Sequence, residues 1–196
     1  TARVATTFDF TVLGLASATI NGQPTNIATG STTIAFGTLT ADKEYTAAQE
    51  LNVQTNAANG FIVTVQTDGE FRSSTGAEID GFVNNSDTAA LATWSSPGAT
   101  PGSPDVLTPT EWGHWGITTD DSDAGDGLFD GGEVAANEWF AATTSPRTVF
   151  AHTGPSDGTT ADVGSTTVGY RVEISPLQEA GDDYQTILTY IATPTF

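Results

Sequence analysis

From Val168 to Ser175 the chain reads VGYRVEIS, so that Val168, Tyr170, Val172 and Ile174 alternate with Gly169, Arg171, Glu173 and Ser175. A helix repeats its apolar positions every three or four residues; a repeat of two predicts a strand with one buried face. A second run, Tyr184, Thr186, Leu188 and Tyr190, alternates in the same way. The intervening SPLQEAGDD is too long for a two-residue turn and carries Pro176 and Gly181. The two strands are therefore joined by a loop or cross between sheets, and the last is expected to be an integral part of a β-sandwich.

The same period recurs upstream. Val4, Thr6, Phe8, Phe10 and Val12 share one side of a predicted strand over residues 4–13, and Ile34, Phe36 and Thr38 one side of another over Ser31–Leu39. Asn21-Gly22 has the chemistry of a type I′ hairpin turn, since both residues tolerate positive φ. From Gln49 to Thr67, Leu51, Val53 and Thr55 alternate up to Asn59-Gly60 and Phe61, Val63 and Val65 after it, which reads as a hairpin. Further Asp-Gly pairs, at Asp68, Asp80, Asp126, Asp130 and Asp157, punctuate the chain as a many-stranded sandwich requires. Between residues 68 and 164 the periodicity weakens and Pro97, Pro101 and Pro104 interrupt it, so this stretch reads as a loop-rich acidic insertion. One short helix is expected within Glu133–Ala142, with Val134, Trp139 and Phe140 on a common face. The predicted architecture is all-β: one domain over residues 1–196, an antiparallel β-sandwich of immunoglobulin-like or jelly-roll-like type carrying that insertion.

Charge narrows the partners. The net charge is −19, from 24 acidic and 5 basic residues, which repels phosphate backbones and anionic lipid. Nucleic acid and membrane surfaces are not expected partners; cations are. No run of 18 apolar residues exists, so no membrane span is expected. The opening Thr1-Ala2-Arg3 lacks Met and reads as a processed chain from which an export signal has been removed. With no cysteine, the fold has neither disulfides nor thiolate metal sites.

The sharpest local pattern is DDSDAGDGLFDGGE, residues 120–133. Hard cations such as Ca²⁺ take six to eight oxygen ligands, and glycines let clustered carboxylates converge. Asp121, Asp123 and Asp126, with Asp130 and Glu133 closing the shell, form a candidate calcium site; the competing reading is a solvated acidic loop. Trp112 and Trp115 could offer flat faces to a sugar ring, against the commoner role of Trp as core filler. His114 and His152 are the only imidazoles, and no H-E-x-x-H occurs, so no enzyme is expected.

Two resemblances bear on function. Tyr184-x-x-x-Leu188-Thr189-Tyr190, followed by Pro194, resembles the C-terminal signature Y-x-x-x-L-T-W-x-L of WxL-type bacterial surface proteins, with Tyr190 in place of the Trp and Ala192 in place of the Leu. Ile34-x-Phe36-Gly37-x-Leu39, Leu51-x-Val53-x-Thr55-Asn56-Ala57 and Gly60-Phe61-x-Val63 are similar to subunits of extracellular bacterial and archaeal fibres, including pilus-like and camelysin-type matrix proteins. Together they cover about residues 31–67 and 168–196 and imply an exported, non-enzymatic β-sandwich at the cell surface. The expected function is a structural subunit of a non-covalent filament or layer. In this reading the segment 1–13 is donated to the next copy through Val4, Thr6, Phe8, Phe10 and Val12. The competing expectation is a monomeric module binding cell-wall glycan.

Overall fold

A computed structural model of the chain describes residues 2–82, 91–97, 113–122, 136–141, 143–180 and 183–196. Along the chain the strands are β1 (Phe8–Gly14), β2 (Thr19–Ile20), β3 (Gln23–Pro24), β4 (Tyr45–Thr55), β5 (Phe61–Thr67), β6 (Phe71–Arg72) and β7 (Glu78–Gly81). They continue with β8 (Ala92–Thr93), β9 (Gly113–Thr119), β10 (Glu138–Trp139), β11 (Arg147–His152), β12 (Ser156–Asp157), β13 (Ser165–Ile174) and β14 (Leu188–Pro194). No described residue is helical, and no described helix could cross a membrane. The protein is all-β and sandwich-like.

The large sheet runs β1-β4-β13-β9-β7-β6, with β12 also paired to β4; the small one runs β11-β5-β14. Among the described strands every pairing is antiparallel except β7 with β9, where Asp80 and Gly81 lie beside His114 and Trp115 in parallel. The two sheets enclose one core. Leu51 and Val53 of β4, Trp115 and Ile117 of β9, and Val168, Tyr170 and Val172 of β13 meet Phe61, Val63 and Val65 of β5 and Phe150 of β11. Each such side chain contributes about 1.5–3 kcal/mol by leaving water.

The alternation in 49–67 fixes which side chains point inward, but β4 and β5 do not form a hairpin. They belong to different sheets, so residues 56–60 form an arch from one sheet to the other. Gly60 makes the arch possible: its φ is +81°, and a Cβ there would lie 1.7 Å from the His152 carbonyl oxygen. The Asn21-Gly22 turn does close a hairpin, β2–β3, with φ of 46° and 74°. Ser31–Leu39 forms no strand, Ile34 making only an isolated bridge to Thr29; Ile34, Phe36 and Leu39 pack on the core while Thr38 is exposed.

The stretch 68–164 is more than an insertion, because β9 and β11 come from it and sit within the two sheets. β9 (GHWGITT) is buried on both faces and so shows no alternation. The helix expected in Glu133–Ala142 is absent from residues 136–141, which form a turn and β10. Trp139 and Phe140 enter two different cores, as consecutive residues of an extended chain must. The rest of that segment lies outside the described residues.

The outer face of β13 is covered as well. Ile20 lies over Gly169, where a Cβ would come within 2.8 Å of its Cγ1. Ile20, Phe82, Trp94 and Trp139 form a second apolar cluster beside it. The alternating Arg171 and Glu173, expected on a wet face, are each 2% exposed.

Candidate functional site

The residues of β14 divide cleanly. Leu188, Tyr190 and Ala192 pack inward, while Thr189, Ile191 and Thr193 face solvent, Ile191 being 46% exposed. At one end Thr195 N–H donates to Gly60 O (2.8 Å) and Asn59 N–H to Thr195 O (3.0 Å); at the other Asp68 N–H donates to Ile187 O (3.1 Å). Odd-numbered residues therefore direct their backbone groups to β5, and Leu188, Tyr190 and Ala192 direct theirs outward. Among the described residues no further strand pairs with β14.

β1 is the corresponding outermost strand of the large sheet. It pairs in register with β4 from Phe8↔Thr55 to Gly14↔Gln49. Phe8, Phe10 and Val12 turn inward but remain only half-buried, and Phe10 meets the Tyr190 ring edge-on at 6.3 Å. The apolar stripe expected over Val4, Thr6, Phe8, Phe10 and Val12 thus shrinks to its last three members. Val4 and Thr6 precede the strand and are exposed, Val4 by 87%. Asn56 holds this approach: its Oδ1 accepts from Thr7 N–H (2.8 Å) and its Nδ2 donates to Ala5 O (2.7 Å).

Beneath β14 lies a cavity of about 220 Å³ lined by Phe36, Phe71, Trp115, Tyr184, Tyr190 and Gln49 among others. Tyr170 Oη donates to Gln49 Oε1 at 3.3 Å and also hydrogen-bonds the Tyr190 hydroxyl. Burial raises the Tyr190 pKa, keeping that hydroxyl protonated. Trp115 is no surface platform. It is 1% exposed, stands edge-on to Phe71 at 4.9 Å and donates its Nε1–H to Glu70 Oε2 at 2.8 Å. An inward position on a strand buried on both faces leaves its ring no solvent side; Trp112 lies outside the described residues.

Glu70 is held near neutrality. Burial pushes its pKa up to about 7, opposed by the Trp115 hydrogen bond and assisted by Asp80 and Glu78. Asp80 rises to about 6 for the same main reason. A polar cleft of about 360 Å³ adjoins them, lined by Asp68, Glu70, Arg72, Ser73 and Asp183. Among the described residues no three acidic or imidazole groups are arranged to hold a metal.

Of the candidate calcium ligands only Asp121 is described. It is fully buried, and its Oδ2 accepts from Ala151 N–H at 3.0 Å, so it ties β9 to β11. Asp123, Asp126, Asp130 and Glu133 lie outside the described residues. His114 is buried between Phe82 and Trp94, and burial lowers its pKa to about 4, so at neutral pH it is uncharged and shielded from solvent.

The most elaborate polar group is Arg171. Its guanidinium lies 4.4 Å from the Trp139 ring centre and 5.4 Å from that of Trp94. Its Nε donates to Thr46 Oγ1 (3.0 Å) and its Nη1 to Asn137 Oδ1 (2.6 Å), while Glu44 stands 3.3 Å away. Glu173 Oε2 accepts from Trp94 Nε1 at 2.8 Å. Every face of the guanidinium is occupied by the protein itself, which makes this a structural clamp between the large sheet and its outer layer. The alternation around it gave no sign of this burial, because the partner tryptophans are remote in sequence.

No protein-family model matches this sequence, and no curated protein matches it.

Proposed function

We propose that the chain is a structural subunit of a non-covalent extracellular filament or surface layer, its copies joined by exchange of β1. The observation that carries this is the state of β1: an outermost strand held by β4, with Phe8, Phe10 and Val12 only half-buried. Moving it onto the β4 of a neighbour repeats the same main-chain ladder and the same side-chain contacts, so exchange costs little in bonding. Linking copies head to tail in this way propagates without covalent bonds, as a chain without cysteine requires. Resemblance to fibre subunits, carried by residues 31–67, supports the same reading.

The test exploits that absence of cysteine. Thr11 and Asn52 face each other across the ladder, a separation a disulfide spans. Oxidised Thr11→Cys/Asn52→Cys protein should remain monomeric in negative-stain micrographs, and reduction should restore filaments. Filaments of normal length from the locked protein would rule out β1 exchange, and no assembly of the wild-type chain in salt or calcium would rule out the subunit role. A monomeric glycan-binding module is the second reading, favoured by the aromatic and amide lining of the 220 Å³ cavity. Quenching or enhancement of tryptophan fluorescence by neutral sugars would distinguish it.

A further inference from the structure

We infer that the free edge of β14 pairs antiparallel with β14 of a second copy, about a two-fold axis at Ile191. This contact is separate from β1 exchange and stands or falls without it.

Exposed sheet edges invite pairing, and soluble proteins usually block them with Lys, Pro, a bulge or an inward charge. β14 has almost none of these. It reads LTYIATP, without a charged residue, and pairs with β5 in unbroken register. Pro194 stands only at its end. In a chain of net charge −19 a strand edge without carboxylates lets two copies approach without setting like charges against each other there. The neighbouring strand β5 (FIVTVQT) is also uncharged, so the exposed face next to the edge, with Ile62 45% and Ile191 46% exposed, adds no repulsion. A second copy is the occupant this edge admits most readily: it brings an identical neutral strand.

The outward groups fix the register. Leu188, Tyr190 and Ala192 present N–H and C=O, and Pro194 presents C=O alone. Matching the full strand against itself sets Leu188 opposite the partner copy's Pro194 and Tyr190 opposite its Ala192. The axis then falls at Ile191, whose backbone groups are already directed to β5. The two Ile191 residues therefore form the close, non-hydrogen-bonded kind of pair, with Cα atoms about 4.5 Å apart on the solvent face. Both isoleucines lose exposure against each other, and two three-stranded sheets join into one continuous sheet. Such a contact is isologous and closes on itself, so it pairs subunits or filaments laterally and does not extend them.

The chain's lack of cysteine makes the register directly readable. Under mild oxidation Ile191→Cys should form a covalent dimer, because the expected Cα separation lies within the disulfide range. Thr189→Cys alone should not, but a mixture of Thr189→Cys and Thr193→Cys should. Ile62→Cys, equally exposed on the adjacent strand, is the control. Ala192→Pro removes an outward N–H and no bond to β5, so it should keep the melting temperature and circular dichroism of the wild type while weakening sedimentation-detected dimerisation by more than about tenfold. Cross-linking of Ile191→Cys no faster than Ile62→Cys, or unchanged association in Ala192→Pro, would overturn the proposal. Cross-linking of Thr189→Cys alone would overturn the register.

Discussion

Replacing Glu70 by Gln should stabilise the protein at pH 8 and leave it nearly unchanged at pH 5. In the folded state burial raises the Glu70 pKa from 4.5 to about 7. Between those two values the native protein binds more protons than the unfolded chain, so this group favours folding at low pH and its contribution disappears as pH rises through about 7. The full shift corresponds to about 3 kcal/mol between the two protonation states. Glu70 is only partly buried and solvent screens it, so about 1–2 kcal/mol is expected. Gln keeps the acceptor for Trp115 Nε1 and carries no charge to bury. For a chain of this size the gain at pH 8 equals about 2–8 °C in melting temperature. Differential scanning calorimetry of both proteins at pH 5 and pH 8 reads it directly. His114 acts in the opposite sense, because its lowered pKa makes stability rise with pH from about 4 to 6.5, but it is common to both proteins and cancels in the comparison. An equal shift at the two pH values, or a loss at pH 8, would refute the assignment of Glu70 as a strained carboxylate.

Arg171→Met should cost about 3 kcal/mol or more in urea unfolding, since it removes the hydrogen bonds to Thr46 and Asn137 and leaves Glu173 buried without its cationic neighbour; Arg171→Lys should restore only part, lacking the planar fork. Gly60→Ala should prevent folding or lower stability by more than about 2 kcal/mol, whereas Gly37→Ala, also at positive φ but with nothing near its Cβ, should cost about 1 kcal/mol, both read from denaturant midpoints. Subunit assembly should be promoted by millimolar Ca²⁺ or by salt that shortens the Debye length below about 8 Å, because each copy carries −19; equal polymer yield by light scattering in low-salt chelator would show that neither bridging nor screening matters.

Alternation proved a reliable guide to facing and a poor one to pairing. In 49–67 and 168–190 every inward apolar residue is on the side its period assigned, yet β4 and β5 lie in different sheets, because a period of two carries no information about which strand lies alongside. β9 stayed hidden for a related reason: a strand covered on both faces has no polar phase to reveal it. Arg171 and Glu173 were misplaced by their own chemistry, since charged residues are buried only when partners surround them, and Trp94 and Trp139 come from segments with no pattern of their own. The neutrality of β14 was legible in LTYIATP, while its open edge became visible only with the strand order.

The arch between β4 and β5 also bears on when this chain can fold. With no hairpin between them, β4 has only β1 and the short β12, and β5 only β11, as partners until β13 and β14 arrive, and contacts such as Arg171 to Thr46 and Thr186 to Thr67 close loops of 125 and 119 residues. Closing loops of that length before any compensating contact forms is slow, and partial chains emerging from synthesis hold no complete sheet to settle into. A nascent copy can pair β1 with β4, and later β11 with β5, but completes neither sheet until β13 and β14 emerge. That timing keeps the neutral edge of β14, the last strand in the order, from being presented until the sheet behind it can hold it straight.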